Sequence, residues 1–255
     1  MSALIPLTSR DNSSLKLIRR LVGDPGAARR LGWVWLEGDH LARAYVARGG
    51  VPEMAFFLEE KSPLAHINIE FNAIKNYVLS AAMMREVCSL DTPPNMGLLV
   101  RMPSPSTLDA ASATVVLDRL QDAGNVGSIL RTAAAMGFRQ VLALKGTAAL
   151  WSAKVLRAGM GAHFGLSLLE GLDADDCGAL RVPLLVTACH EGHWIHRREL
   201  PWPCAWVFGH EGQGTSDRLI AQADALIRIA QPGGEESLNV AAAAAICLHA
   251  SAPKP

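Results

Sequence analysis

The chain lacks most of what marks an extracellular, membrane or metal-binding protein. Its five cysteines (Cys88, Cys177, Cys189, Cys204, Cys247) are an odd, scattered set with no C-x-x-C pair. That argues against a disulfide framework or a thiolate zinc site and fits a reducing compartment. The longest apolar run near the C-terminus, 240–248, is far short of the ~20 residues that span a bilayer. The opening residues, MSALIPLTSRDNSSLKLIRRL, hold no apolar core followed by a small-residue cleavage site, so no secretory leader is expected. A soluble, cytoplasmic protein is the expectation. One segment, Cys189-His190-Glu191-Gly192-His193-Trp194-Ile195-His196, offers Cys and His at short spacings. It follows an apolar strand, contains a glycine and has no matching ligand pair elsewhere, so no metal is expected.

Net charge is also missing: 24 Lys and Arg balance 24 Asp and Glu. Its distribution is uneven. Residues 1–50 carry eight Lys/Arg against four acids, leaving the remainder net negative by four. Arg10, Lys16, Arg19, Arg20, Arg29 and Arg30 are candidates for a phosphate-binding face. A solvated helix surface accounts for the same charges equally well. Aromatics are scarce at 5%, yet half the chain is hydrophobic and only 19% charged, so a folded protein with close helix–strand contacts is expected.

A Pro-, Ser- and Ala-rich stretch, MPSPSTLDAASA at 102–113, lacks apolar periodicity and reads as a linker. It divides the chain into a domain over 1–101 and a second over 114–255. Before it, patterning predicts helices over 15–21, 40–47, 70–75 and 80–87 and strands over 33–36, 54–58 and 97–100. After it, strands are predicted over 114–117, 140–144, 183–188, 205–208 and 225–229. Helices are predicted over 126–136, 152–160, 216–222 and 238–250. Regular strand–helix alternation implies right-handed crossovers and a parallel sheet covered on both faces.

Three segments of the second half look unlike ordinary structural sequence. In LDRLQDAGNVGSILRTAAAMGF (117–138), a buried strand ends in a polar loop and a helix opens with Asn125 as the expected N-cap. Arg131 and Thr132 lie two turns further on. In VFGHEGQGTS (207–216), a strand runs into G-x-x-G-x-G, whose glycines let the backbone bend and approach a ligand closely. The spacing is not the dinucleotide fingerprint, and Glu211 inside the loop suits an amine or hydroxyl better than a phosphate. In IAQPGGEESLNVAAAAAICLH (229–249), Ser237 is the expected N-cap of an Ala-rich helix, with Glu236 near its dipole. That leaves Asn239, a mediocre helix-interior residue, without a role.

In this order, the three segments resemble the SpoU (TrmH-like) class of the SPOUT superfamily of RNA methyltransferases. The likeness rests on Asn125 followed by Arg131-Thr132, on Gly209, Glu211, Gly212 and Gly214, and on Ser237-Leu238-Asn239-Val240. The first half, with Ser9-Arg10-Asp11-Asn12, Leu36-Glu37-Gly38 and Leu79-Ser80, resembles the small α/β RNA-binding domain often fused to that class. Ala230 and Gln231 depart from the Pro and apolar residue commonly seen after the last strand.

The resemblance implies an α/β fold in which the C-terminal parallel-sheet domain is tied in a trefoil knot, and a homodimer that completes the site. It implies S-adenosyl-L-methionine as cofactor, held by Thr187, Ala188, Gly209, Gly212, Gly214, Ile229 and Leu238. It also implies 2′-O-methylation of RNA, with ribosomal RNA favoured over tRNA and Arg10, Lys16, Arg19, Arg20, Arg29 and Arg30 binding the RNA. Asn125, Arg131, Glu211, Ser237 and Asn239 would form the catalytic set. Arg131 would grip a phosphate and the target hydroxyl, and Glu211 would orient Arg131 or the ribose. The rivals are a base-directed enzyme of the same superfamily, a non-catalytic RNA-binding protein and a dinucleotide oxidoreductase.

Overall fold

A computed structural model describes residues 4–59, 73–188, 191–233 and 237–253. By internal contacts the chain forms two units, one of residues 1–104 with 151–164 and the other of 105–150 with 165–255.

In the first unit, Asn12 caps helix α1 (Ser13–Gly23) by accepting from the Ser14 N–H at 2.9 Å. Leu15, Ile18 and Leu21 recur at helical spacing and are buried. Short helices α2 (Ala27–Leu31) and α3 (Asp39–Val46) follow, and Ser80 caps α4 (Ala81–Glu86). The sheet comprises β1 (Leu4–Pro6), β2 (Trp33–Glu37), β3 (Met54–Leu58), β4 (Lys75–Leu79) and β5 (Met96–Arg101), in the order β1-β4-β3-β5-β2. β1 and β3 run parallel to β4, whereas β5 is antiparallel to both β3 and β2. The helix expected over 70–75 is corrected where it can be seen: Lys75 opens β4, and residues 70–72 lie outside the described residues. The Tyr77-Val78 pair favours a strand, and partners on both sides satisfy its backbone. β1 leaves no strand pattern in the sequence because it is three residues long and ends in Pro6, which an edge strand accommodates.

The second unit is built on β6 (Thr114–Asp118), β7 (Gln140–Leu144), β8 (Ser167–Leu172), β9 (Leu184–Thr187), β10 (His193–Trp194), β11 (Ala205–Gly209) and β12 (Ala225–Arg228). Their order is β10-β12-β9-β11-β6-β7-β8, and every pairing is parallel. β6 and β7 are buried at every position, which only a sheet covered on both faces allows. On one face Val116, Leu142, Val186 and Val207 pack with Leu219 of α7 (Asp217–Gln222). α5 (Ala123–Ala135) and α8 (Val240–Ser251) pack against each other. Trp206 of β11 ties α8 to the sheet, its indole N–H donating to the buried Ser251 hydroxyl at 2.9 Å.

Helix α6 (Ala153–Gly159) falls between β7 and β8 in sequence, yet groups with the first unit. There Arg157 Nη1 donates to Ser89 Oγ at 2.6 Å, and Ser89 is bound by the Glu37 carboxylate through both its N–H and its hydroxyl. Among the described residues, no helix is long and apolar enough to cross a membrane.

Candidate functional site

The carboxyl ends of β9, β11 and β12, with the start of α8, enclose a cavity of about 720 Å³ in the second unit. Ligands of open α/β sheets occupy this end, where loops rather than side-chain-filled strands form the walls. Thr187 and Ala188 line it from β9, Gly209, Glu211, Gly212 and Gly214 from the loop after β11, and Ile229 from the end of β12. Ser237, Leu238 and Asn239 line it from the approach to α8. The structure therefore gathers into one cavity all seven residues expected at a cofactor and three of the five expected in catalysis. Asn125 and Arg131 are not part of the lining.

Asn125 nevertheless joins the site through hydrogen bonds. It is not the cap of α5: Asp122 is, accepting from the Asn125 N–H at 2.7 Å. Asn125 sits one turn in, where its side chain is free to face the loop after β11. Its Nδ2 donates to Glu211 Oε1 at 3.3 Å, and its Oδ1 accepts from Asn239 Nδ2 at 3.1 Å. Asn239, in turn, caps α8, accepting from the N–H groups of Ala241 and Ala242. This corrects the expected cap at Ser237 and gives Asn239 a role: such a cap contributes about 1 kcal/mol to its helix. Ser237 is exposed at the cavity wall, and Glu236 lies outside the described residues.

A directed relay results, from the first N–H groups of α8 through Asn239 and Asn125 to the Glu211 carboxylate. The direction fixes both amide orientations, since reversing either would oppose two like groups. Burial tends to raise the Glu211 carboxyl. Hydrogen bonds from its own N–H, Asn125, and the Gln121 and Asp122 N–H groups outweigh burial and hold it below the usual carboxylate range. Glu211 is thus an acceptor at neutral pH, not a proton donor. Its bonds run to Asn125 and to backbone, not to Arg131.

Arg131 lies on the exposed stripe of α5 with Gly124, Ser128 and Ala135, and no ion pair to it is seen among the described residues. α8 presents its own exposed stripe of Ala242, Ile246 and Ala250.

Two residues missed in the sequence brace the glycine loop. Asp118, 2% exposed at the end of β6, accepts from Arg119 Nε at 2.9 Å and from the Ser216 N–H at 2.7 Å. Arg119 also donates to Gln213 Oε1 and the Gly214 carbonyl. The Asp118 hydrogen bond raises the Arg119 pKa further, and Arg119 holds a left-handed φ of 60° to make these contacts. Such a conformation is uncommon outside glycine and persists where surroundings enforce it. The signal was an Asp-Arg pair at a strand end, which carries no spacing rule. His210 closes the loop from inside: its Nδ1 accepts from the Gly212 and Gln213 N–H groups, which assigns the remaining proton to Nε2.

Gly209 is required for a different reason than expected. A Cβ built there would stand 2.2 Å from the Thr215 nitrogen and 2.4 Å from the Gly214 carbonyl carbon. The absent side chain makes room for the loop's own backbone.

In the first unit, most of the candidate RNA-binding cations are already paired. Arg10 and Arg19 share Glu86, Lys16 pairs with Asp11, and Arg30 pairs with Asp24. Arg20 and Arg29 are exposed, and no ion pair to either is seen among the described residues.

Residues 112–249 match the SpoU rRNA Methylase family. The chain is 29% identical to the 23S rRNA (guanosine(2553)-2′-O)-methyltransferase of Bacillus subtilis over 84% of its length and 86% of that protein's. It is 30% identical to an uncharacterized tRNA/rRNA methyltransferase of Synechocystis sp., over 97% of this chain and 93% of the other. A solved TrmH-family structure from Porphyromonas gingivalis superposes with a TM-score of 0.82 at 26% identity, covering 96% of this chain and 98% of that one. The chain belongs to the SpoU family of RNA methyltransferases.

Proposed function

We propose that the protein transfers a methyl group from S-adenosyl-L-methionine to a ribose 2′-hydroxyl of ribosomal RNA. The observation that carries this reading is the Asn239–Asn125–Glu211 relay at the wall of the cavity. It brings the three family motifs to one place with polar groups able to hold a hydroxyl-bearing substrate. The named 2′-O activity of the Bacillus relative on 23S rRNA favours ribose and ribosomal RNA.

The cavity fits the cofactor: its size is within the ~300–1,000 Å³ typical of small-molecule sites, and Ile227, Ile229, Leu238 and Val240 offer apolar walls beside the polar relay. Thr187, Ala188, Gly209, Gly212, Gly214, Ile229 and Leu238 would hold it. Its sulfonium supplies an activated methyl group. Glu211, held ionised, accepts from a ribose hydroxyl or keeps Asn125 aligned, and Ser237 or the substrate phosphate takes part in moving the proton. Arg131 stays protonated and contributes a planar fork that can grip a phosphate and the target oxygen together. Alignment of this kind is worth ~7–11 kcal/mol of barrier.

Arg131 stands outside its own chain's cavity, so the reading includes a homodimer in which the α5 and α8 stripes meet and Arg131 serves the site across the pair. Exposed Ile246 supports that contact. The reading also includes a trefoil knot, drawn by the segment from β11 through α8. It assigns 1–101 as an RNA-positioning domain, 102–113 as linker and 114–255 as the methyltransferase domain, in a cytoplasmic protein.

Incubation with ribosomal RNA and methyl-labelled cofactor, followed by nucleoside analysis, should yield a labelled 2′-O-methylnucleoside. A methylated base would move the chemistry off the ribose, label in tRNA alone would move the target, and no label would make the protein a binder. For the RNA-positioning unit, Arg20→Glu with Arg29→Glu should lower the log–log salt slope of RNA binding by about 1.4–1.8, since each lost phosphate contact removes ~0.7–0.9. Arg10→Glu, whose cation is already paired, should change the slope less. An equal or larger effect of Arg10→Glu would show that ion pairing does not decide which cations face the phosphates.

A further inference from the structure

His210 opens the loop that carries Glu211, and among the described residues it is the one imidazole that lines the cavity. The loop is closed by a backbone pair: the His210 N–H donates to the Gly214 carbonyl at 3.0 Å, and the Gly214 N–H donates back at 2.8 Å. Inside that ring, the N–H groups of Gly212 and Gln213 converge on His210 Nδ1 at 3.0 and 3.2 Å. No other acceptor for either is seen among the described residues. The imidazole thus holds the two backbone donors that the loop itself leaves unpaired.

An imidazole can do this only while neutral. Once protonated, both ring nitrogens carry hydrogen, and Nδ1 would meet two N–H groups as a third donor. The ring would then have to leave, and Gly212 and Gln213 would lose their acceptor. Few charges surround it. Glu211 follows it in the loop, its carboxyl held below the usual carboxylate range and so ionised wherever an imidazole titrates. Arg119, paired with Asp118 at the end of β6, reaches the same loop at Gln213 and Gly214. Glu211 attracts an imidazolium and Arg119 repels one, but both keep their charge across that range. The walls supplied by β9, β12 and the start of α8 contribute no side chain that titrates there among the described residues. We propose that His210 is a positioning residue for the methyl donor: its neutral ring holds the glycine loop in the form that binds S-adenosyl-L-methionine, and proton uptake at Nδ1 releases that loop. Cofactor affinity is then fully present above the imidazole range and lost as pH falls through it. The inference rests on the reading of the cavity as the methyl-donor site.

Calorimetry with S-adenosylhomocysteine at pH 7.5 and 5.5 tests it. The wild-type protein should bind about 3- to 10-fold more weakly at the lower pH, the upper figure being the fall that one linked proton of ordinary imidazole affinity produces. Binding at pH 5.5 should also release protons, read from its heats in buffers of different ionisation enthalpy. His210→Ala removes the acceptor, and should bind about 3- to 10-fold more weakly than wild type at pH 7.5, as the loss of an ordinary hydrogen bond does. It should also lose the pH dependence. His210→Asn should recover most of that affinity, because an Asn oxygen accepts from the backbone two residues on, and should bind without proton release. The ligand's own titration is common to all three proteins. An Asn variant as weak as Ala at pH 7.5 would overturn the role of the acceptor. A flat wild-type profile, or an unchanged one in His210→Asn, would overturn its titration. If the wild-type protein bound no S-adenosylhomocysteine at either pH, the reading of the cavity itself would fall, and the role of His210 with it.

Discussion

Replacing Arg131 with Ala is expected to slow single-turnover methyl transfer by about 10²–10³-fold while leaving cofactor affinity nearly unchanged. The magnitude follows from removing one preorganised donor from a transition-state site. Arg131 is exposed on α5 and outside the cavity lining, so the cofactor site is formed without it. Arg131→Lys keeps the charge but not the two-pronged fork, and should restore only part of the rate. If Arg131 acts across a dimer, mixing Arg131→Ala subunits with subunits inactivated at Asn239 should recover activity that neither has alone, because one of the two sites then has both residues intact. The measurement is methyl transfer at saturating RNA and cofactor. Near-normal turnover of the Ala variant would return Arg131 to the solvated surface of its helix, and absence of recovery in the mixture would place its action within one chain.

Much of the second unit was legible because burial on both faces writes itself into the chain as strand-length apolar runs, as at 114–117, 140–144 and 205–208. β8 and β10 were not legible for the opposite reason. They are edge strands; β8 is only partly buried along its whole length and β10 has two residues. The caps show a finer limit. Asn125 and Ser237 both fitted the N-cap preference, yet Asp122 and Asn239 hold those positions. Residue type permits a cap at any of several neighbouring sites, and tertiary contacts choose among them. Here the choice frees Asn125 to bridge Glu211 and Asn239 across 86 and 114 residues of chain. The motif residues were visible as separate words, but the bonds joining them depend on separations no local pattern reports. The α6 segment teaches the same lesson: its helix was legible from 152–160, whereas its grouping with the first unit rests on long-range packing against β2, with Arg157 reaching Ser89.

Gly209→Ala is expected to weaken S-adenosylmethionine binding by about 5- to 150-fold, the equivalent of the ~1–3 kcal/mol typical of an overpacked site. The added methyl would meet the Thr215 nitrogen, the Gly214 carbonyl carbon and the Thr215 Cα, all within 2.5 Å. Those are backbone atoms, unable to rotate aside, so the loop carrying Glu211 must shift as a body. Asp118 and Arg119 oppose that shift through their bonds to Ser216 and Gly214. Gly214→Ala should be milder: nothing stands within 4 Å of its added carbon, but its φ of +70° costs an L-residue ~1–2 kcal/mol. Gly212→Ala should change affinity least, since only the His210 ring lies near, at 3.8 Å. Calorimetry on the three folded variants gives the order directly. The ranking Gly209, Gly214, Gly212 is expected because backbone closure, rather than space for the ligand, makes these glycines necessary. A Gly212→Ala variant worse than Gly209→Ala would instead put the ligand against Gly212 and reverse that explanation.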